Sequence, residues 1–310
     1  MPALFVRRRA MKKSLNYKTS RKLWGYVLLI PGFFFLGCFT LFPFVKSIVM
    51  SFTDWNAISP DFSFVGLKNY SDVFHNQDYW NAIKVNLIFA VISTAIQTIL
   101  GFLLAFVVYY LKSGWQKFYK VALYLPVILP ASVIAVMWRF LLNYDSGLIN
   151  SILRGVGFDF LTHAWIGEKS TALGTIIAVN TWQYIGFTMV LFYIAMINIP
   201  KDVLESAAVD GATKKDLFFH FFLPLTAGTT ETNVVLSISG GMKSFALFYM
   251  LTGGGPGTAT TVVAMLIYNA AFVNFKFSRA LAMSSILFVI ILAMVVLSRK
   301  IGRKYNYEYQ

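Results

Sequence analysis

Six apolar stretches, each long enough to cross a bilayer, constrain this chain more than any other feature. They run over about Leu23 to Met50, Ile83 to Leu111, Phe118 to Leu142, Thr171 to Ile197, Leu223 to Leu251 and Arg279 to Leu297. A spanning helix needs about 20 mostly apolar residues. In lipid the backbone polar groups must be satisfied inside the segment, which selects helices. The pattern predicts an all-α membrane protein with six transmembrane helices. Only 13% of the residues are charged and 57% are hydrophobic, against about 25% charged in soluble domains. The 30 Phe and 16 Tyr suit helices that face lipid and headgroups.

The net charge of +14 does not point to nucleic acid, because the basic residues flank apolar segments and alternate from loop to loop. Eight Lys and Arg precede Leu23. Lys112, Lys117 and Lys120 lie between spans two and three, Lys201, Lys214 and Lys215 between spans four and five, and Arg299, Lys300, Arg303 and Lys304 after span six. The other three loops carry only Lys68, Arg154, Lys169 and Lys276. Lys and Arg accumulate on the cytoplasmic side, so both termini are expected there. The expected organisation is a basic cytoplasmic tail over 1–22, a six-span domain over 23–298 and a cytoplasmic tail over 299–310. The first apolar run is too long for a signal peptide and no small-x-small cleavage site follows it. Either Met1 or Met11 is compatible with the start of translation. One cysteine, Cys38, excludes an intrachain disulfide, and His75, His163 and His220 offer no metal-ligand spacing.

Between spans four and five lies a polar insert, about 199–222, containing "ESAAVDGATKKDLFFHFFLP" from Glu205 to Pro224. Pro200 suits the first turn of a helix. Val203, Leu204, Ala207 and Ala208 then share a face, with Lys201 and Glu205 on another. Gly211 suits a left-handed helix end. Thr213 with Asp216 three residues on forms a partial capping box, and Leu217, Phe218, Phe221 and Phe222 give a second helix an apolar face. The insert reads as helix, bend, helix along the membrane surface. An amphipathic loop resting on lipid accounts for that spacing equally well.

Glu205, Ala207, Ala208 and Gly211, followed by Leu223 and Pro224, resemble the EAA loop of binding-protein-dependent ABC importers. "SFTDWN", "FVGLKNY", "LPVILP" and "YMLTGGGPGTATT" resemble the maltose and oligosaccharide permease branch, in order along nearly the whole chain. Ser206 and Phe221 depart from the pattern, which often has Ala and Ile there. The resemblance implies a multi-pass permease in the bacterial cell membrane. Its implied partners are a second homologous permease, two ATP-binding-cassette ATPase subunits and an extracytoplasmic sugar-binding protein. It also implies that the insert is the coupling (EAA) loop, with Glu205, Ser206, Ala207, Ala208, Asp210 and Gly211 at the ATPase. The outer loop with Gly254, Gly255 and Pro256 would lie near the docked binding protein; a sharp Gly/Pro turn is the plainer reading of that segment.

The chain has no GxxxxGK[ST] phosphate loop; "GGMKS" at Gly240–Ser244 lacks the spacing. No cofactor is expected in this chain, with ATP and magnesium used by the partner subunits, and no enzyme activity is expected. Polar groups inside spans are costly and mark functional candidates. The resemblance, followed without gaps, puts Ser237, Gly240, Gly241 and Ser244 of span five on the sugar site. On span four it puts Trp182, Gln183, Tyr184 and Phe187 there. Helix packing is the alternative for each, because small and polar residues also join helices. Lys243 is a further cavity candidate. Lys46 and Arg139 are expected to snorkel. Glu231 is compatible with a protonated acid, a paired one or one facing a partner subunit.

An oligosaccharide is the expected cargo, with glycerol phosphate or another small polar solute as the alternative. An ion-coupled secondary transporter would want midplane carboxylates and internal repeats, for which Glu231 alone is thin support. A membrane enzyme lacks a nucleophile–base or metal constellation.

Overall fold

The structure, a computed structural model, describes residues 26–302. The basic tail over 1–22, both candidate start methionines, Arg303 and Lys304 lie outside the described residues. The described residues form thirteen helices, a single 3-10 turn (Asp159–Leu161) and a single isolated bridge, Thr53 to Phe64. In chain order they are α1 (Tyr26–Met50), α2 (Lys68–Phe74), α3 (Gln77–Tyr109), α4 (Ser113–Ile128), α5 (Ala131–Leu141) and α6 (Leu148–Gly155). There follow α7 (Ala172–Ile197), α8 (Lys201–Val209), the helical run 214–225 (α9), α10 (Ala227–Met242), α11 (Ala246–Leu251), α12 (Val263–Val273) and α13 (Phe277–Gly302).

Four of these, α1, α3, α7 and α13, are individually long and apolar enough to cross a membrane. The sequence pattern of six uninterrupted spans is corrected at two places. Span three is broken: α4 and α5 meet at 99°. The cause is Pro130, which pushes Leu129 into an extended conformation (ψ 136°) and out of the helix. Span five is also broken. After α10 the chain leaves the helix at Lys243 and re-enters it at Ala246.

Each break exposes backbone carbonyls that need partners, and side chains from other helices supply them. Gln183 Nε2 on α7 donates to the Leu129 carbonyl at 3.2 Å. Asn86 of α3, fully buried, donates from Nδ2 to the carbonyls of Gly241 (3.4 Å) and Met242 (3.3 Å), while its Oδ1 accepts from the Val263 amide at 2.9 Å. One asparagine thereby closes the end of α10 and the start of α12.

The helices α3 and α7 pack along much of their length, and α10 lies against both. Small residues set these approaches. A Cβ on Gly186 would come within 1.8 Å of the Leu123 carbonyl oxygen on α4, and one on Gly101 within 2.5 Å of Thr188 Cγ2. A Cβ on Gly241 would lie 3.0 Å from Ala90 Cα. Three apolar clusters result. One joins α3, α10, α12 and α13 around Tyr79, Met242 and Met283. A second joins α3, α5, α7 and α11 around Phe89, Ile176 and Phe248. The third, around Phe102, Phe192 and Phe222, fixes the insert to the ends of α3 and α7.

Helix α1 stands apart. Most of its large side chains are exposed, and Phe44 meets Phe288 of α13 edge-on at 5.2 Å. Its far end is held to α13 by hydrogen bonds from the Ser278 hydroxyl and amide to the Trp55 carbonyl, both at 3.0 Å. Lys46, expected to snorkel, sets its ammonium 5.9 Å from the Trp55 ring centre.

Candidate functional site

A cavity of about 660 Å³ opens between α3, α4, α7 and the broken end of α10. Its wall contains Gln183, Tyr184 and Phe187 from α7, and Ser237, Gly240, Gly241, Lys243 and Ser244 from α10 and the break after it. Eight of the nine residues singled out from the sequence as ligand candidates therefore face one space. Trp182 is the exception and corrects the expectation. At about 100° per residue, Gln183, Phe187, Asn180, Tyr184 and Thr188 share one arc of α7 with Gln183 at its edge, and Trp182 falls outside that arc. The Trp182 ring instead meets Trp138 of α5 edge-on at 5.5 Å.

Several wall residues escaped the sequence reading: Gln97 and Phe89 of α3, Tyr124 of α4 and Thr188 of α7; Asn180, at the start of the polar stretch of span four, also lines the wall. Gln97 carried the clearest signal, as an amide in the middle of an apolar span. Its Nε2 donates to Asn180 Oδ1 at 2.8 Å. Deeper in the bundle, the Thr188 hydroxyl donates to Asn233 Oδ1 (3.2 Å) and Asn233 Nδ2 to the Thr98 hydroxyl (2.9 Å). These bonds tie α3, α7 and α10 into one polar seam beside the cavity. Gln183 is 2% exposed, and among the described residues its Oε1 has no hydrogen-bond partner. A buried unsatisfied acceptor is costly, and this one belongs to a residue of the cavity wall.

The insert follows the sequence expectation closely. Pro200 precedes α8, and α8 ends at a left-handed Gly211 (φ +83°), with the Ala212 amide reaching back to the Ala207 carbonyl at 2.9 Å. Thr213 and Asp216 form a complete capping box: the Asp216 amide donates to Thr213 Oγ1 (3.3 Å) and the Thr213 amide to Asp216 Oδ2 (2.9 Å). The side-chain and backbone hydrogen bonds from Thr213 lower the Asp216 pKa below the ordinary carboxylate value. The second helix winds as a π-helix over Leu217–Phe222. Phe218 meets Phe102 and Phe106 of α3 at 5.1 and 4.9 Å, and Phe222 meets Tyr109 at 5.0 Å.

Glu205, Ser206, Ala208, Asp210 and Gly211 are exposed on the insert. Ala207 is buried within the chain, so of the two alanines only Ala208 is open to a partner. In the glycine-rich loop, Gly254 is likewise buried, its φ of +91° leaving a Cβ only 2.8 Å from Thr261 Oγ1. Gly255 and Pro256 are half-buried, and Gly257 and Thr258 form the exposed part of the loop. Glu231 is half-buried near the end of α13, where a Cβ on Gly302 would come within 2.9 Å of its Cγ.

A bundle of long apolar helices, with a cavity of mixed apolar and polar lining at two helix breaks and an exposed helical insert, defines a multi-pass membrane transport component. The chain belongs to the family of binding-protein-dependent transport system inner membrane components, whose pattern it matches over residues 82–307. It is 35% identical over 280 residues to the probable ABC transporter permease protein YurN of Bacillus subtilis, covering 90% of this chain and 96% of that one. It is 28% identical to the multiple sugar-binding transport system permease protein MsmF of Streptococcus mutans, over 93% and 98% of the two chains. Among solved structures, a bacterial ABC transporter involved in importing the acidic polysaccharide alginate has the same fold. That match has a TM-score of 0.81 at 22% identity, over 94% of this chain and 99% of that one. The family assignment makes the chain a permease subunit rather than an enzyme.

Proposed function

We propose that this chain is the transmembrane subunit of an ABC importer that carries an oligosaccharide inward by alternating access. In this reading it crosses the membrane six times, with the broken α4–α5 pair and the broken α10–α11 segment each counted as one crossing. Both termini and the insert are cytoplasmic. A second homologous permease, two ATPase subunits that use ATP and magnesium, and an extracytoplasmic binding protein complete the transporter.

One observation carries the proposal: the insert and the cavity are built on the same helices. Phe218 and Phe222 lock the insert to α3, and Met189, Phe192 and Met196 of α7 belong to the same apolar cluster. Farther along, α3 and α7 supply Gln97, Asn180 and Gln183 to the cavity wall. Movement of the insert is therefore passed by packed side chains to the walls of the cavity. The exposed Glu205 is placed to pair with a basic residue of the ATPase. ATP-driven closure of the ATPase pair then turns the cavity outward to receive the sugar from the binding protein, and hydrolysis returns it inward.

Aromatic rings (Phe89, Tyr124, Tyr184, Phe187) and neutral amides and hydroxyls share the cavity wall, a lining suited to sugar faces and sugar hydroxyls. The volume of about 660 Å³ falls in the range of about 300–1,000 Å³ typical of sites for ligands of drug size. That favours a saccharide of more than one ring over glycerol phosphate, and the name of the relative MsmF points to the same class.

The reading is tested by co-expressing the chain with its partner permease and ATPase subunits. The expected result is a complex whose ATP hydrolysis rises with loaded binding protein. Glu205→Ala should lower ATPase retention and that stimulation without changing sugar binding to the binding protein. Full retention and full stimulation in the variant would remove the coupling role of Glu205.

A further inference from the structure

We propose that the transported saccharide bears a negative charge, a carboxylate or a phosphate, and that Lys243 is the residue that receives it. The inference rests on the saccharide reading above and narrows its chemical class.

Among the described residues, Lys243 is the only charged side chain in the cavity wall. The polar groups around it are neutral, among them Gln97, Asn180, Gln183, Ser237 and Ser244, and no Asp or Glu of the described residues lines the space. Lys243 is an exposed residue at the break and lines the cavity. The ion pair found among the described residues, His163 with Glu168 at 3.2 Å, does not involve it. An ammonium carried in an apolar stretch is costly and is kept where it meets an opposite charge or lines a substrate path.

The plainer role for a lysine at this place is to satisfy the end of a helix. That role is already filled. The backbone amide of Lys243 donates to the Gly240 carbonyl at 3.2 Å, and Asn86 Nδ2 takes the carbonyls of Gly241 and Met242. The Lys243 side chain, at an exposed position of the cavity wall, is not needed for that role. A single cation with no carboxylate beside it, inside low-dielectric walls, favours anions and disfavours cations. The neutral amides and hydroxyls of the wall can hold the neutral ring while Lys243 holds its charge.

The test measures ligand binding to the assembled complex, with partner permease and ATPase subunits and without binding protein, by calorimetry. The probes are a neutral disaccharide, the same disaccharide with one uronate carboxylate, and its 6-phosphate. At least one acidic probe should bind about tenfold or more tightly than the neutral one, as expected of a hydrogen bond to a charged group. The preferred acid identifies carboxylate or phosphate as the natural group. The preference should fade as salt rises, survive Lys243→Arg and collapse in Lys243→Met. Should Lys243→Met fail to assemble, Lys243→Gln and the salt series on the unaltered complex give the same reading. Equal binding of all three probes, or an acid preference that survives loss of the ammonium, overturns the proposal and leaves the saccharide reading standing. Binding of none overturns both.

Discussion

Gln97 on α3 donates from Nε2 to Asn180 Oδ1 on α7 at 2.8 Å, and this bond joins the two helices at the wall of the cavity. Gln97 is 4% exposed. Replacing it with Leu removes a buried amide and leaves Asn180 short of a partner, which costs about 1–3 kcal/mol. The melting temperature of the assembled complex should fall accordingly, and saccharide binding should weaken with it. Unchanged melting and binding would mean that this contact neither holds α3 to α7 nor shapes the wall.

Two glycines of α7 should respond oppositely to alanine. At Gly186 the new Cβ would meet the Leu123 backbone at 1.8 Å. Backbone cannot swing aside, so α4 must move. Overpacking of this kind costs about 1–3 kcal/mol or more, and transport should drop. At Gly174 nothing lies within 4 Å, and Ala gains about 1 kcal/mol of helix propensity. Thermal melting of both variants in detergent decides the comparison.

Gly211→Val should uncouple transport from ATP hydrolysis without a steric clash. Nothing lies within 4 Å of an added Cβ there, but the φ of +83° is unfavourable for a branched residue. The bend must open or the insert must shift. Uptake measured per ATP hydrolysed should fall, while amounts of the chain in the membrane stay near normal.

The capping box at the second insert helix sets a pH dependence. Thr213 lowers the Asp216 pKa from its ordinary value of 3.8. A depressed carboxylate pKa adds stability that is present above the ordinary value and lost as pH falls through the lowered one. Hydrogen exchange of the amides over 213–217 should therefore keep its protection factor from neutral pH down to about 5 and lose it only in stronger acid. Asp216→Asn should lose part of that protection at neutral pH.

The topology makes an accessibility prediction. Thr258 is an exposed tip of the glycine-rich loop, and Lys214 is exposed on the insert. In intact cells Thr258→Cys should react with a membrane-impermeant maleimide, and Lys214→Cys should react only after permeabilisation. The reverse pattern would invert the proposed orientation.

The sequence by itself determined what depends on neighbours a few residues away. Apolar runs of about 20 residues can satisfy their backbone in lipid only as helices, which fixed the all-helical class. Pro200, Gly211 and the Thr213–Asp216 pair act within one helical turn, and the insert follows them. The tertiary structure decided the rest. Span three read as one uninterrupted helix, and the 99° bend at Pro130 holds in a bundle where Gln183, far along the chain, takes up the freed Leu129 carbonyl. Lys243 and Ser244 read as an unbroken span until Asn86 supplied partners for the carbonyls of Gly241 and Met242. Trp182 and Gln183 are equal candidates in the sequence. The helix azimuth set by the close approach of Gly186 to Leu123 turns one to Trp138 and the other to the cavity. Gln97 became a wall residue only because α3 crosses α7 beside Asn180. Local rules fix where helices begin and end, whereas a cavity is a relation among the faces of several helices, and those faces are set by packing.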